Sequence, residues 1–356
     1  MKKLLCLLLF CSPAFALPLT CNGVNDDANI ATALTTNDVP VDTGLCVMTV
    51  APTLYNRAGI KMVCKGDSGQ TDSCVFRWDG PNGGMPFQLN QVRDSTFEGI
   101  SILPGAGTLA SCVEIDAIPP YVQTSTNNQF IRVHCGASTD GFYIARNSTQ
   151  NNELHTFYNV TIDGPGTTGI RINQRDSKSN RIIGGSIANR TYGIYNWAGS
   201  FNSDKTNFSY NGTDIYVCNI TDTLNIRDAQ SEGAHWFLND CNGGGGAWSI
   251  NIEGGRLHPG YVGGDGVYIR YLDRGPLNIE KVDFASGVPD TRFRILCDND
   301  PGTNPLNLGC TLNSRGNIFP NSTPYGTYRT ALDSVGNMYV DSAGHGQPLP
   351  KSNTQP

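Results

Sequence analysis

Glu232, Glu253 and Glu280 are the residues whose type and spacing come nearest to acid–base chemistry. Glu253 and Glu280 hold the same place in two similar stretches, Ile252-Glu253-Gly254-Gly255-Arg256-Leu257 and Ile279-Glu280-Lys281-Val282-Asp283-Phe284, and Glu232 follows a weaker copy, Ile226 to Ser231. Two carboxylates crowded together push one pKa up, so that one group donates a proton while the other acts as base or nucleophile. A separation of about 5 Å is the one used to cleave a glycosidic bond with retention. The competing arrangement is a surface ion ladder, with Arg227 against Glu253 and Arg256 against Asp283. A second set is Arg171, Tyr195, Tyr216 and Tyr268, central residues of recurring apolar–x–apolar triplets. Aromatic side chains pack on the apolar faces of sugar rings, and arginine pairs with carboxylates. The competing reading of this stripe is aromatic stacking for stability.

Whether such residues meet depends on the elements that carry them, and here two short patterns alternate. The first is an apolar residue followed five places later by another: Phe97 to Ile102, Phe130 to Cys135, Phe157 to Ile162, Ile182 to Ile187, Ile252 to Leu257 and Ile279 to Phe284. The second is the triplet, beginning at Phe142, Ile170, Ile194, Ile215, Trp236, Val267 and Phe293, so that successive copies lie 28, 24, 21, 21, 31 and 26 residues apart. Within each triplet the period is two, the period of a strand. Strands this short must bury their inward faces against equivalent strands of the next turn. The pattern predicts an all-β chain: a right-handed parallel β-helix of about eight or more coils, rising about 4.8 Å per coil. Between Ile60 and Cys310 it predicts roughly eight coils, give or take about one. The outward triplet residues then form one column, Tyr143, Arg171, Tyr195, Tyr216, Phe237, Tyr268 and Arg294. Asn-Gly pairs do not recur at one phase of the repeat, which disfavours hairpin-built sandwiches.

The ends read differently. Met1-Lys2-Lys3, the apolar run Leu4–Phe10 and Ala14-Phe15-Ala16 describe a secretory signal over 1–16. Removing Cys6 and Cys11 leaves ten cysteines with no Cys-x-x-Cys pair, which points to up to five disulfides in an oxidising compartment and away from zinc; pairing between neighbours is the simplest arrangement, and the sequence leaves the connectivity open. The expectation is a secreted protein, extracellular or periplasmic. A net charge of −6 without a basic run argues against nucleic acid, and no later segment is apolar enough to span a membrane. Residues 17–58 are expected to cap the stack, 59–310 to form it and 311–343 to close it, with a hairpin over Leu332–Val340. Residues 344–356 read as a disordered tail.

Asn22-Gly23-Val24-Asn25-Asp26-Asp27-Ala28-Asn29-Ile30-Ala31-Thr32-Ala33-Leu34 resembles the Asp-Gly-x-x-Asp-Asp-(Thr)-x-Ala-Ile-x-x-Ala-Leu opening of pectate-lyase-superfamily (pectin lyase-like) β-helix proteins. That group includes secreted polysaccharide lyases, glycosidases and phage tailspike-like proteins. The resemblance implies a short helix, capped by Asp26 or Asp27, that plugs the N-terminal end of the core with Ile30, Ala33 and Leu34. It also implies a polysaccharide or cell-surface glycan as partner. The clustered calcium-binding aspartates and Arg-bearing base motif of pectate lyases are missing, as are the Asn-Thr-Asp and Arg-Ile-Lys of polygalacturonases. Two functions therefore stay open. One is a polysaccharide hydrolase or lyase using Glu232, Glu253 and Glu280, with Arg171, Tyr195, Tyr216 and Tyr268 holding sugar rings. The other is a non-catalytic glycan-binding or adhesin-like protein. The sequence names no cofactor, metal site or oligomeric state.

Overall fold

The structure is a computed structural model and describes residues 16, 18–66, 74–119, 124–148, 150–241, 248–259, 267–272, 275–285, 294–297, 310–320, 324, 331–340 and 346–349. The expected signal segment lies outside the described residues except for Ala16, and the expected tail does so except for 346–349.

The chain winds as a right-handed parallel β-helix with three long parallel sheets. In each coil one strand goes to sheet 1, the next to sheet 2 and the third to sheet 3, as in Asp38–Val41, Gly44–Met48 and Thr53–Tyr55. Among the described residues the sheets hold twelve, nine and ten strands. Sheet 1 has nine strands from Lys61–Cys64 to Pro276–Glu280, in keeping with the expected coil number. The stack runs further than expected at both ends. Asp38–Val41 precedes it, and Thr311–Arg315 and Ala331–Val335 continue it in parallel register. The hairpin expected over Leu332–Val340 is therefore corrected: that segment is one more corner. Met338–Val340 instead pairs antiparallel with Gly346–Pro348, which places a strand inside the expected tail.

The five-residue spacing has a local cause. From Thr96–Glu98 onward, two places after the inward residue of a sheet 1 strand the backbone enters the left-handed region: Gly99 after Phe97, Arg132 after Phe130, Asn159 after Phe157, Gly184 after Ile182 and Asp228 after Ile226. That residue turns the chain sharply enough for position five to point inward again. Where it is not glycine, the conformation costs roughly 1–2 kcal/mol, and packing on the inside outweighs it. Phe97, Phe130 and Phe157 stack in register at 5.4 and 5.2 Å, with Phe142 edge-on at 5.1 and 5.0 Å. All four are buried. Ile226 to Ser231 matches the pattern poorly because Ser231 is an inward polar residue. Its hydroxyl meets the buried Asp214 carboxylate and lies 2.8 Å from the Tyr268 hydroxyl.

Buried backbone N–H groups at the coil corners need acceptors. A side-chain ladder supplies them: Ile60 N–H donates to Ser95 Oγ (3.0 Å), Ser95 N–H to Asn128 Oδ1 (3.3 Å), Asn128 N–H to His155 Nδ1 (3.3 Å) and His155 N–H to Asn180 Oδ1 (3.2 Å). Five disulfides join neighbouring cysteines, Cys21–Cys46, Cys64–Cys74, Cys112–Cys135, Cys218–Cys241 and Cys297–Cys310, as expected from the even count. They fit an oxidising compartment.

Helix α1, Asp27–Ala33, buries Ile30 and Ala33, with Leu34 beside them, in the cluster that contains Val39, Val41 and Met48. Neither aspartate caps it by side chain. Asp26 instead accepts from Asn22, Gly23 and Val47 N–H, and Asp27 from Thr49 and Val50 N–H, tying the helix to the second strand. The expected cap is thus a clamp between the helix, the loop before it and the first coil.

Candidate functional site

Register in a coiled sheet turns sequence positions into surface columns. On sheet 1 two outward columns run side by side. Asn202, Asn225, Asn251, Asn278 and Asn313 form an amide ladder in which each Nδ2 donates to the Oδ1 of the coil before, at 2.6–2.8 Å. Beside it stand Asp204, Arg227, Glu253, Glu280 and Arg315. Between the columns lies a shallow groove of about 220 Å³ lined by Asn225, Arg227, Asn251, Glu253, Asn278 and Glu280. The two sequence-predicted glutamates are therefore neighbours on adjacent coils. Glu253 also has cations on both sides, Arg227 Nε and Lys281 Nζ each 3.9 Å away. Its side chain is 51 % exposed, so these pairs add little stability. The ladder is a firmer element. Asn251→Ala removes two amide hydrogen bonds and is expected to cost about 1–2 kcal/mol, measured by denaturant unfolding.

Glu232 is not in this groove. It lies past the Asp228 corner on sheet 2, in register with Ser209 and His258 and 3.4 Å from the Tyr210 hydroxyl. Burial, then Arg256, hold the His258 imidazole below its usual range, while Asp283 and Glu232 oppose them.

Sheet 3 carries the predicted stripe, with a correction. The outward column reads Gln88, Glu114, Tyr143, Arg171, Tyr195, Tyr216, Asn239 and Arg270. Phe237 and Tyr268, expected outside, are fully buried, and their rings meet at 6.3 Å inside the coil. Tyr268 therefore cannot hold a sugar ring. In every coil the outward residue stands two places after one inward corner, which is Gly141, Gly169 and Gly193 in earlier coils and Asp214, Phe237 and Tyr268 in later ones, so the apolar triplets at Trp236 and Val267 begin two places before the outward-centred ones.

The remaining residues form a continuous stack. The Arg146 guanidinium lies 4.2 Å from the Tyr143 ring centre, Arg171 lies 4.8 Å from Tyr143 and 5.1 Å from Tyr195, and Tyr195 stacks on Tyr216 at 5.0 Å. Tyr192 packs against both Tyr195 and Tyr216. The ring faces of Tyr195 are thus occupied along the stack, leaving edges, hydroxyls and guanidinium donors for solvent. Burial pushes the Tyr143, Tyr195 and Tyr216 phenols up, which keeps them protonated. Trp197, parallel to Tyr195 at 6.4 Å and 45 % exposed, provides the open aromatic face.

At one end of the stack three carboxylates meet that sequence reasoning missed. Strand Ser111–Asp116 supplies Glu114 and Asp116, and strand Asp140–Ile144 supplies Asp140. Arg146 Nε lies 3.0 Å from Glu114 Oε2 and its Nη2 4.0 Å from Asp140 Oδ2, while Arg171 Nη1 is also 4.0 Å from Asp140 Oδ2. Asp116 is held separately, accepting from Asn147 N–H and the Ser148 hydroxyl. Burial pushes Glu114 up to about 7 against the pull of Arg146, with Asp116 and Asp140 adding to the rise. Burial also raises Asp140, opposed chiefly by Arg171. A signal for Glu114 was present: Val113-Glu114-Ile115 is the same triplet one coil before Phe142-Tyr143-Ile144. Among the described residues no group of three His, Cys, Asp or Glu side chains is placed to hold a metal, and no helix is long and apolar enough to cross a membrane.

The fold places the chain among the single-stranded parallel β-helices. No protein-family model matches it, and no curated protein does. Among solved structures it is similar to the Dettilon tailspike protein (gp208), with 12 % identity over 90 % of this chain and 68 % of that one and a TM-score of 0.48.

Proposed function

We propose that this protein binds a glycan along sheet 3, with Arg171, Tyr195 and Tyr216 as the central contacts and Trp197 beside them. The observation that carries this reading is the partly exposed stack of guanidinium and aromatic groups on consecutive coils. Hydroxyls and guanidinium edges repeating about every 4.8 Å suit a chain of hydroxyl-rich rings lying along the axis. Trp197 adds a face for the apolar side of one ring. Arg171→Ala and Tyr195→Ala are each expected to weaken retention on a glycan panel at least about tenfold, a loss of ~1.4 kcal/mol. Unfolding curves serve as the control. Retention unchanged in both variants would rule out this face.

A second reading, a polysaccharide hydrolase or lyase, is favoured by the sheet 1 groove, where Glu253 and Glu280 stand on adjacent coils beside the amide ladder. Against it, Glu253 sits between two cations in an ion ladder. Release of reducing ends or unsaturated uronates from the panel, lost in a Glu253→Gln, Glu280→Gln double variant, would establish it. Products that persist in that variant but vanish in Glu232→Gln would move the chemistry to sheet 2.

A further inference from the structure

We propose that Arg146 and Arg171, both packed against the Tyr143 ring, form a site for an oxyanion carried by the glycan, and that Glu114 gates it by competing for Arg146. This rests on the glycan-binding reading of sheet 3 and adds both the ligand's charge and a control on its capture. Among the described residues neither Nε has a hydrogen-bond partner; both guanidiniums are held by the ion contacts at 3.0 and 4.0 Å and by the Tyr143 and Tyr195 rings. A guanidinium held over a ring carries its N–H donors at its planar edge, the fork that receives a carboxylate, sulfate or phosphate group. The two side chains are 27 % and 31 % exposed, so a ligand can reach them.

Glu114 is the group that decides whether Arg146 is available. The coil before presents only uncharged Gln88 and Asn90 to its strand, in register with Glu114 and Asp116. Its own strand contributes Asp116, and the following coil contributes Asp140, Tyr143, Arg146 and, beyond, Arg171. Counting Arg146, Arg171, Glu114, Asp116 and Asp140 as ionised gives a net charge of −1, and protonating Glu114 brings it to zero. Asp116 is tied to Asn147 and Ser148, so a proton entering the cluster at Glu114 loosens the 3.0 Å contact and leaves the others in place. Because Glu114 changes charge near pH 7, capture of an oxyanion strengthens as the solution becomes mildly acidic. A uronate or sulfate ester stays ionised throughout that range.

The test is equilibrium binding of labelled oligogalacturonate, sulfated dextran oligosaccharide, neutral dextran and inorganic sulfate at about pH 5.5 and about pH 8. With Glu114 protonated in roughly one molecule in ten at the higher pH, the acidic sugars and sulfate are expected to bind the wild-type protein ~10-fold more tightly at the lower pH. Glu114→Gln is expected to bind them tightly at both, and Arg146→Gln weakly at both. A wild-type pH profile in Glu114→Gln, wild-type binding by Arg146→Gln, or no response to any anion at pH 5.5 would overturn the proposal. Neutral dextran binding alone, the same in every variant, would overturn the oxyanion site and leave the glycan reading standing. A gated response to sulfate with no sugar bound would do the reverse. Carboxylate and sulfate sources are separated by which acidic sugar binds more tightly.

Discussion

Asp214→Asn is expected to make the protein about 4 kcal/mol more stable at pH 8 and to leave its stability nearly unchanged below pH 4. Asp214 is fully buried in the interior of the coil, accepting from Asn211 Nδ2 at 3.0 Å and paired with the Ser231 hydroxyl, which meets the Tyr268 hydroxyl. Among the described residues no cation pairs with it, and burial pushes its pKa from 3.8 to about 7. The folded state therefore holds a proton that the unfolded state has released throughout the window between 3.8 and about 7. Stability falls as pH rises through that window and is level above it. Three pKa units correspond to about 4 kcal/mol. Asparagine keeps the acceptor for Asn211 and offers Ser231 a donor without ever ionising. Denaturant unfolding of both proteins at about pH 4, 6 and 8 measures the difference between them, so that Glu114 and other titrating groups cancel. A constant difference across pH would show that Asp214 is not held neutral by the fold.

His155→Asn is expected to change the pH dependence in the opposite sense. His155 is buried in the corner ladder, accepts the Asn128 N–H at Nδ1, and is held neutral by burial, its pKa lowered from 6.5 to about 3. Here the unfolded chain binds the proton that the folded one refuses. Stability is complete above 6.5 and is lost as pH falls toward 3, by about 5 kcal/mol for the full shift. Asparagine, flanked by Asn128 and Asn180, continues the ladder as an uncharged acceptor and removes that loss, although the smaller side chain costs about 1–3 kcal/mol of packing at neutral pH. The checked quantity is again the variant-minus-wild-type stability, expected to rise as pH falls from about 6.5 to about 3.5. A flat difference would mean that His155 titrates normally in the folded state. The slopes of His155 and Asp214 oppose each other between about pH 4 and 6.5, so in the wild-type protein each partly masks the other.

Much of the architecture was legible because it depends on local requirements. A residue such as Phe130 must be apolar to sit inside the coil, and the left-handed corner at Arg132 forces the next inward position five residues after it. Three of the five disulfides join cysteines one coil apart, at separations of 25, 23 and 23, and the other two close segments of 10 and 13 residues. The candidate sites were less legible. Glu253 and Glu280 were placed together correctly, since both lie one residue after an inward isoleucine in consecutive coils. Tyr268 was misplaced because Val267-Tyr268-Ile269 is apolar throughout, and a period of two cannot say which face of such a run is inside.

The coil and its repeating short strands were thus determined by the sequence itself, through which positions had to be buried, whereas the disulfide pairing stayed open until the coils were stacked. The positions that required tertiary structure were those whose partners sit one coil away at an offset set by intervening loops of unequal length. Glu114 meets Arg146 only because the segment after Ile144 folds back over the preceding coil, where Ser148 anchors it to Asp116. Arg171 lies between two tyrosines only in the register of three successive strands. Side-chain chemistry could be listed from the sequence, but the distances that turn two arginines, a tyrosine and a buried glutamate into one charged cluster arise from the stacking of coils.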